Sequence, residues 1–270
     1  MTIFNSIKTK VNKSSVKLFN PLKKDTYSRP WLVYLPGMDG TGELFHTQIE
    51  ELAPKFNLRC LSIDSEDLSN WEQLTRATIN CLVSELLQDF PDSIYLCGES
   101  FGGCLAMSVA VAAPRLISGM TLINAASSFN DQPILGLGIN LTRWMPEWMH
   151  QNSAVGLLPF LAELSRIPYS NRQALLRAMK SLSPEVVSWR LSLLRDFRLN
   201  SDQCRQFEKQ TLIVAGGCDR LLPSKQEASK LFHLFPNSEI EILPDSGHAC
   251  LLESEINLAN IFAKHQFANF

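Results

Sequence analysis

The 270-residue chain contains no C-x-x-C pair, and its seven cysteines are an odd number. A disulfide framework and a structural zinc site are both disfavoured by that pattern. Cysteines set in apolar runs, such as Ile94-Tyr95-Leu96-Cys97, read instead as small hydrophobes in a reducing compartment. No run of 18 apolar residues occurs, so no membrane-spanning helix is expected. The N-terminus lacks an apolar stretch after its charges, so no secretory signal is expected either. No H-E-x-x-H, EF-hand loop, Walker motif or G-x-G-x-x-G follows a strand. Neither metal nor cofactor is therefore expected, and any chemistry must come from side chains and backbone. The net charge of −2 argues against a nucleic-acid partner.

What is present begins with a charge asymmetry. Residues 1–30 carry seven basic side chains (Lys8, Lys10, Lys13, Lys17, Lys23, Lys24, Arg29) against one acid, Asp25, whereas the remainder is acidic. Three readings fit this segment: an edge ribbon whose lysines deter edge-to-edge pairing, a contact with an anionic membrane, or a transit peptide. The expected location is cytoplasmic, peripheral to an internal membrane, or a plastid in the transit-peptide case.

Apolar residues make up 45% of the chain, enough for a sizeable core. Residues 3–19 alternate loosely and predict one or two edge strands. Runs at Trp31–Leu35, Leu58–Ile63, Ile94–Cys97 and Met120–Ile123 predict buried strands. Helices are predicted over 43–53, 71–89 and 101–113. Strand and helix resume at Thr211–Ala215, 224–235, Glu239–Leu243 and 250–264. Alternation of this kind predicts an α/β fold with a mostly parallel central sheet flanked by helices. Residues 127–207 contain helical patterns and no convincing strand. The expected organisation is a core of residues 1–126 and 208–270 with a helical cap inserted at 127–207.

Gly98-Glu99-Ser100-Phe101-Gly102 matches G-x-S-x-G between a predicted strand and a predicted helix. That setting makes a strained turn that lifts the serine hydroxyl from the carboxyl edge of the sheet. A serine hydroxyl needs an adjacent base, and the base needs an orienting acid. Of five histidines, only His248 lies in a loop after a strand at that edge. Asp219, directly after the 211–215 strand, is the candidate acid; Asp245 reads as a turn former. The order Ser100, Asp219, His248 is the chain order of an α/β-hydrolase triad. An oxyanion needs backbone N–H donors that are fixed beforehand. Phe101 N–H, at the helix start, is one candidate. Met38 N–H, in Pro36-Gly37-Met38-Asp39-Gly40-Thr41-Gly42, is the other. That loop also reads as a plain glycine-rich turn; Glu43 stands where a phosphate loop would want lysine.

Three strings resemble the α/β-hydrolase superfamily: Leu35-Pro36-Gly37-Met38-Asp39-Gly40-Thr41-Gly42, Gly98-Glu99-Ser100-Phe101-Gly102-Gly103-Cys104-Leu105-Ala106 and Asp245-Ser246-Gly247-His248. With Ser188-Trp189-Arg190-Leu191 and Leu222-Pro223-Ser224, they resemble more narrowly the hydrolase-like half of phytyl ester synthases, across roughly residues 30–262. The resemblance implies acyl-ester chemistry on lipids, with Ser100 as nucleophile, Asp219 as acid and His248 as base. Phytyl ester synthases also carry an acyltransferase-like domain with H-x-x-x-x-D. Here no histidine has aspartate five residues on, and the chain ends soon after the last predicted helix. Hydrolysis is expected over transfer on that ground. Acyl transfer to phytol or diacylglycerol is the alternative, and a non-catalytic lipid-binding protein is the reading from another class. The expected partner is a lipid or acyl-ester substrate, with peripheral membrane contact as a further option. In the insertion, Trp144, Met145, Trp148 and Leu158 are candidates for an apolar substrate pocket, or else pack the cap onto the body.

Overall fold

The computed structural model describes residues 15–23, 29–87, 91–131 and 156–269. Seven strands form one sheet: β1 (Val16–Phe19), β2 (Trp31–Leu35), β3 (Asn57–Ile63), β4 (Ile94–Glu99), β5 (Gly119–Ile123), β6 (Gln210–Gly216) and β7 (Ser238–Leu243). Their order is β1-β3-β2-β4-β5-β6-β7, parallel throughout except that β1 runs antiparallel to β3. β2 and β5 are buried along their whole length, as helices on both faces require. Successive side chains of β2 serve opposite layers. Val33 and Leu35 join Leu96, Leu105, Met120 and Ile213, while Leu32 and Tyr34 join Leu58, Leu212, Val214 and Phe262.

The helices are α1 (Ile49–Leu52), α2 (Trp71–Leu86), α3 (Phe101–Ala112), α4 (Tyr169–Lys180), α5 (Pro184–Asp196), α6 (Ser201–Arg205), α7 (Ser224–Leu234) and α8 (Leu258–Lys264), with short 3-10 turns between some of them. The expected α/β architecture is what the chain adopts. Two helix predictions need correction. Residues 43–53 form a 3-10 helix, Glu43–Gln48, followed by the single turn of α1. Residues 250–264 are not one helix. A 3-10 turn, Cys250–Leu252, ends at an extended Glu253, and α8 starts only at Leu258. The reason is local: the Asn257 side chain accepts the Asn260 N–H and caps a new helix.

β3 and β4 lie on opposite sides of β2, so the strand order switches direction there. The crevice beyond the carboxyl ends of β2 and β4 is where such sheets place their sites. Between β5 and β6, every element among the described residues is helical. Its parts pack differently. Leu158, Ala162, Ile167 and Leu175 form a small cluster with Ala249 and Leu252. Leu193, Leu194, Phe197, Cys204 and Phe207 instead belong to the main core beneath the sheet. β1 is one of the two edge strands, with Val16 buried and Lys17 exposed; Lys8, Lys10 and Lys13 lie outside the described residues. All seven cysteines are free thiols. Among the described residues, no helix is long and apolar enough to cross a membrane.

Candidate active site

Ser100 joins β4 to α3 at φ 53°, ψ −113°, a conformation that L-residues rarely take and that costs about 1–3 kcal/mol. The turn survives because its neighbours over-determine it. Ser100 N–H donates to the Ile123 carbonyl at 2.9 Å, and its own carbonyl accepts Gly103 N–H at 3.0 Å and Ala126 N–H at 3.2 Å. The glycines are needed for clearance. A Cβ on Gly98 would stand 2.4 Å from the Gly102 carbonyl oxygen, and one on Gly102 would stand 2.0 Å from that of Leu35.

Three strand-end loops bring the candidate triad together. His248 Nε2 lies 2.9 Å from Ser100 Oγ, and its Nδ1 lies 2.7 Å from Asp219 Oδ2. Asp219 is held in turn by the N–H groups of Leu221 at 2.8 Å and Leu222 at 3.0 Å and by the Ser224 hydroxyl. Burial raises the Asp219 pKa, but the His248 charge and hydrogen bond, with Ser224 and Leu222, outweigh it and hold the carboxyl below its ordinary value. An ionised carboxylate only accepts, so Nδ1 donates to it. Nε2 is then left to accept the serine proton. Burial pulls His248 down, whereas Asp219 and, more weakly, Glu99 push it up; the net displacement is upward.

Three polar side chains that sequence reasoning left without a role hold these loops. Asn124, at φ 44° just after β5, donates from Nδ2 to the His248 carbonyl at 2.6 Å and accepts the Gly216 N–H at 2.7 Å. It ties the acid's strand to the base's loop. Buried Glu253 accepts from Ser246 Oγ at 2.8 Å, Gly247 N–H at 2.9 Å and Arg166 Nε at 2.7 Å. Glu99 is buried beside the nucleophile and accepts from the Tyr34 hydroxyl. Burial pushes its carboxyl up to about 7, against the pull of Tyr34 and His248. The only sequence signal for Asn124 was its place after a strand at the active edge. Glu253 fell in a segment read as continuous helix, which hid it.

In the loop after β2, Gly40 N–H closes a turn on the Gly37 carbonyl at 3.0 Å. The Asp39 carboxylate accepts both Thr41 N–H and Thr41 Oγ1. A Cβ on Gly37 would come within 4.0 Å of the Ser100 Cβ, so this loop lies against the turn. Phe101 opens α3, where an N–H has no carbonyl one turn back in the helix. Of the candidate pocket residues, Trp144, Met145 and Trp148 lie outside the described residues. Leu158 is buried in the cluster that packs part of the segment between β5 and β6 against Ala249. His46 bonds Asn171, His233 bonds Ser229 on its own helix, and His265 lies between Glu239 and Glu241. Among the described residues no group of three or more His, Cys, Asp or Glu side chains is arranged to hold a metal ion.

A strained serine at a strand-to-helix turn, on a parallel sheet with this order, defines a class. Residues 32–259 match the model of the alpha/beta hydrolase family, and the chain belongs to that family. It is 29% identical to phytyl ester synthase 1, chloroplastic, of Arabidopsis thaliana, over 86% of this chain and 36% of that protein's length. The chain thus spans little more than a third of that relative. It is 25% identical to a pimeloyl-[acyl-carrier protein] methyl ester esterase of Xanthomonas axonopodis pv. citri, over 83% of this chain and 89% of that one. Among solved structures, MenH from S. aureus superposes with a TM-score of 0.72 at 19% identity, covering 94% of this chain and 98% of that one.

Proposed function

We propose that this protein is a serine hydrolase that cleaves acyl esters of hydrophobic alcohols or glycerolipids through an acyl-enzyme. The hydrogen-bonded series Ser100–His248–Asp219 carries this reading. Ser100 Oγ attacks the ester carbonyl carbon while His248 Nε2 takes the hydroxyl proton. The oxyanion is held by the N–H groups of Met38 and Phe101. On collapse, His248 returns the proton to the leaving alcohol. Water then attacks the acyl-enzyme with His248 again as base, and the acid departs. Asp219 stabilises the imidazolium and fixes its orientation.

The ester class is supported by the names of the relatives, a phytyl ester synthase and a methyl ester esterase. The likeness to a synthase also favours a second reading, in which an alcohol replaces water in the second step. Leu158, which packs against Ala249 beside His248, is proposed to contribute to an acyl pocket; the sequence pattern alone proposes Trp144, Met145 and Trp148 for the same role. The test is a screen of p-nitrophenyl esters of graded chain length and of phytyl esters, with product analysis with and without added phytol. Ser100→Ala should abolish turnover and labelling by a fluorophosphonate; undiminished turnover in that variant would overturn the assignment. New ester appearing only with phytol present would favour transfer.

A further inference from the structure

Arg190 is a large, fully buried polar side chain, 1% exposed, on α5 between β5 and β6. Its Nη1 donates to the Met38 carbonyl at 2.7 Å across 152 residues of sequence, and its Nη2 donates to the Asp64 carbonyl at 3.0 Å. The glycine loop is shaped around it. A Cβ on Gly40, which sits at φ +72°, would stand 2.6 Å from Arg190 Nη1. Burial depresses the pKa of the guanidinium, and the carboxylates of Asp39, Asp67 and Asp64 oppose that.

The same helix reaches the second candidate oxyanion donor. The Leu193 carbonyl accepts from Trp71 Nε1 at 2.8 Å, and the Trp71 ring stacks on Phe101 with centroids 4.7 Å apart. Trp189 Nε1 donates to the Ser69 carbonyl at 3.0 Å, which fastens α5 to the body at a third point. Met38 and Phe101, from loops after different strands, are therefore both referred to one helix.

A trans peptide points its C=O and N–H in opposite directions. Gly40 N–H holds the Gly37 carbonyl, so the N–H of that peptide unit, which belongs to Met38, faces the other way. Arg190 holds the carbonyl of the next unit. Both peptides flanking the Met38 Cα are then fixed before any substrate arrives, as oxyanion stabilisation requires. We propose that Arg190 is a positioning residue for the oxyanion hole, acting through the Met38 carbonyl to hold the Met38 N–H in line with Ser100. The role rests on the serine hydrolase reading above. A lysine would not replace it, because only a planar fork meets two carbonyls at fixed angles.

The test compares Arg190→Lys and Arg190→Met with the wild type on p-nitrophenyl butyrate, with kcat expressed per site titrated by a fluorophosphonate. The expected result is a fall in kcat of about 10–100-fold for Arg190→Lys and a larger one for Arg190→Met, toward the loss of a whole oxyanion donor. KM should stay within about threefold, because the interaction lost is made in the transition state. Affinity for a trifluoromethyl ketone, which forms an oxyanion on Ser100, should fall in parallel with kcat/KM. The pH midpoint of kcat/KM should not move, since the His248–Asp219 pair is untouched. A kcat per titrated site equal to wild type in either variant would overturn the role, as would a loss carried by KM alone. Wild-type protein that takes no label at Ser100 would overturn the hydrolase reading and this role with it. Labelled wild type beside fully active Arg190 variants would overturn this role alone.

Discussion

The loop that carries His248 and the loop that carries Met38 meet at the same sheet edge but are held in different ways. The His248 loop is tied at several points, one near in the chain and the others distant. Glu253, only six residues from Gly247, takes its N–H, and Asn124 from the end of β5, two strands away, donates to the His248 carbonyl. Arg166 and the Leu161 carbonyl then add support from the segment between β5 and β6. The Met38 loop closes one turn on itself, and its next carbonyl is met by Arg190 from α5. Irregular backbone that is buried must find partners for its polar groups. One loop finds several such partners, Asn124 and Leu161 far along the chain and Glu253 nearby, and the other closes on itself and finds one distant side chain, Arg190. The Met38 carbonyl thus rests on a single side chain of α5, whereas the His248 loop rests on several partners, from the end of β5, from Glu253 and from the segment between β5 and β6.

The first way to sharpen that contrast is to damage the triad's side alone. Asp219→Asn leaves the shape of the acid but offers His248 an amide, which favours the wrong tautomer. It should lower kcat by about 10⁴-fold with the fold intact, as judged by steady-state kinetics and circular dichroism. That loss should exceed the effect of any change confined to the Met38 loop.

A smaller effect is expected where the two kinds of support overlap. Glu253 bridges the His248 loop to Arg166. Glu253→Gln presents an NH2 group where one of three donors needs an acceptor. It should destabilise the protein by about 1–3 kcal/mol in urea titrations and reduce kcat by about tenfold. An unchanged denaturation midpoint would show that the loop does not rely on this carboxylate.

The smallest effect concerns electrostatics. Glu99 has its carboxyl pushed to about 7 from an ordinary 4.5. A carboxyl with a raised folded pKa contributes stability below the unfolded value that is lost as pH rises through the folded one. Wild-type stability should therefore decline between about pH 4.5 and pH 7 on account of this group, and Glu99→Gln should flatten the decline. Ionised Glu99 also pushes His248 upward. Removing its charge should lower the His248 pKa, so the acid limb of kcat/KM should move to lower pH. A limb that moves to higher pH would contradict the sign.

Much of this molecule was legible in the linear order of residues. Five strands were visible as short apolar runs and β7 as an alternating one, and G-x-S-x-G, Asp219 and His248 were visible because each follows a strand at the same edge. Strand polarity alone brings such positions together, whatever the details of packing. The break at Glu253 was not legible, because an apolar pattern over 250–264 satisfies helical periodicity and nothing in it weighs a carboxylate's bonds to a loop. Nor was Asn124, whose side chain bonds residues 92 and 124 positions away.

By itself, then, the sequence determined the α/β alternation, the parallel sheet and the residue types at its active edge, because hydrophobic period and turn chemistry are local properties. Only the tertiary structure decided which loops are rigid and what holds them. Arg190 and Trp189 belong to a string that stood out only by its resemblance to phytyl ester synthases, and what they do depends on carbonyls at Met38, Asp64 and Ser69. A hydrogen bond between groups so far apart in the chain leaves no periodicity behind. It exists only once the sheet has brought the two segments to the same place.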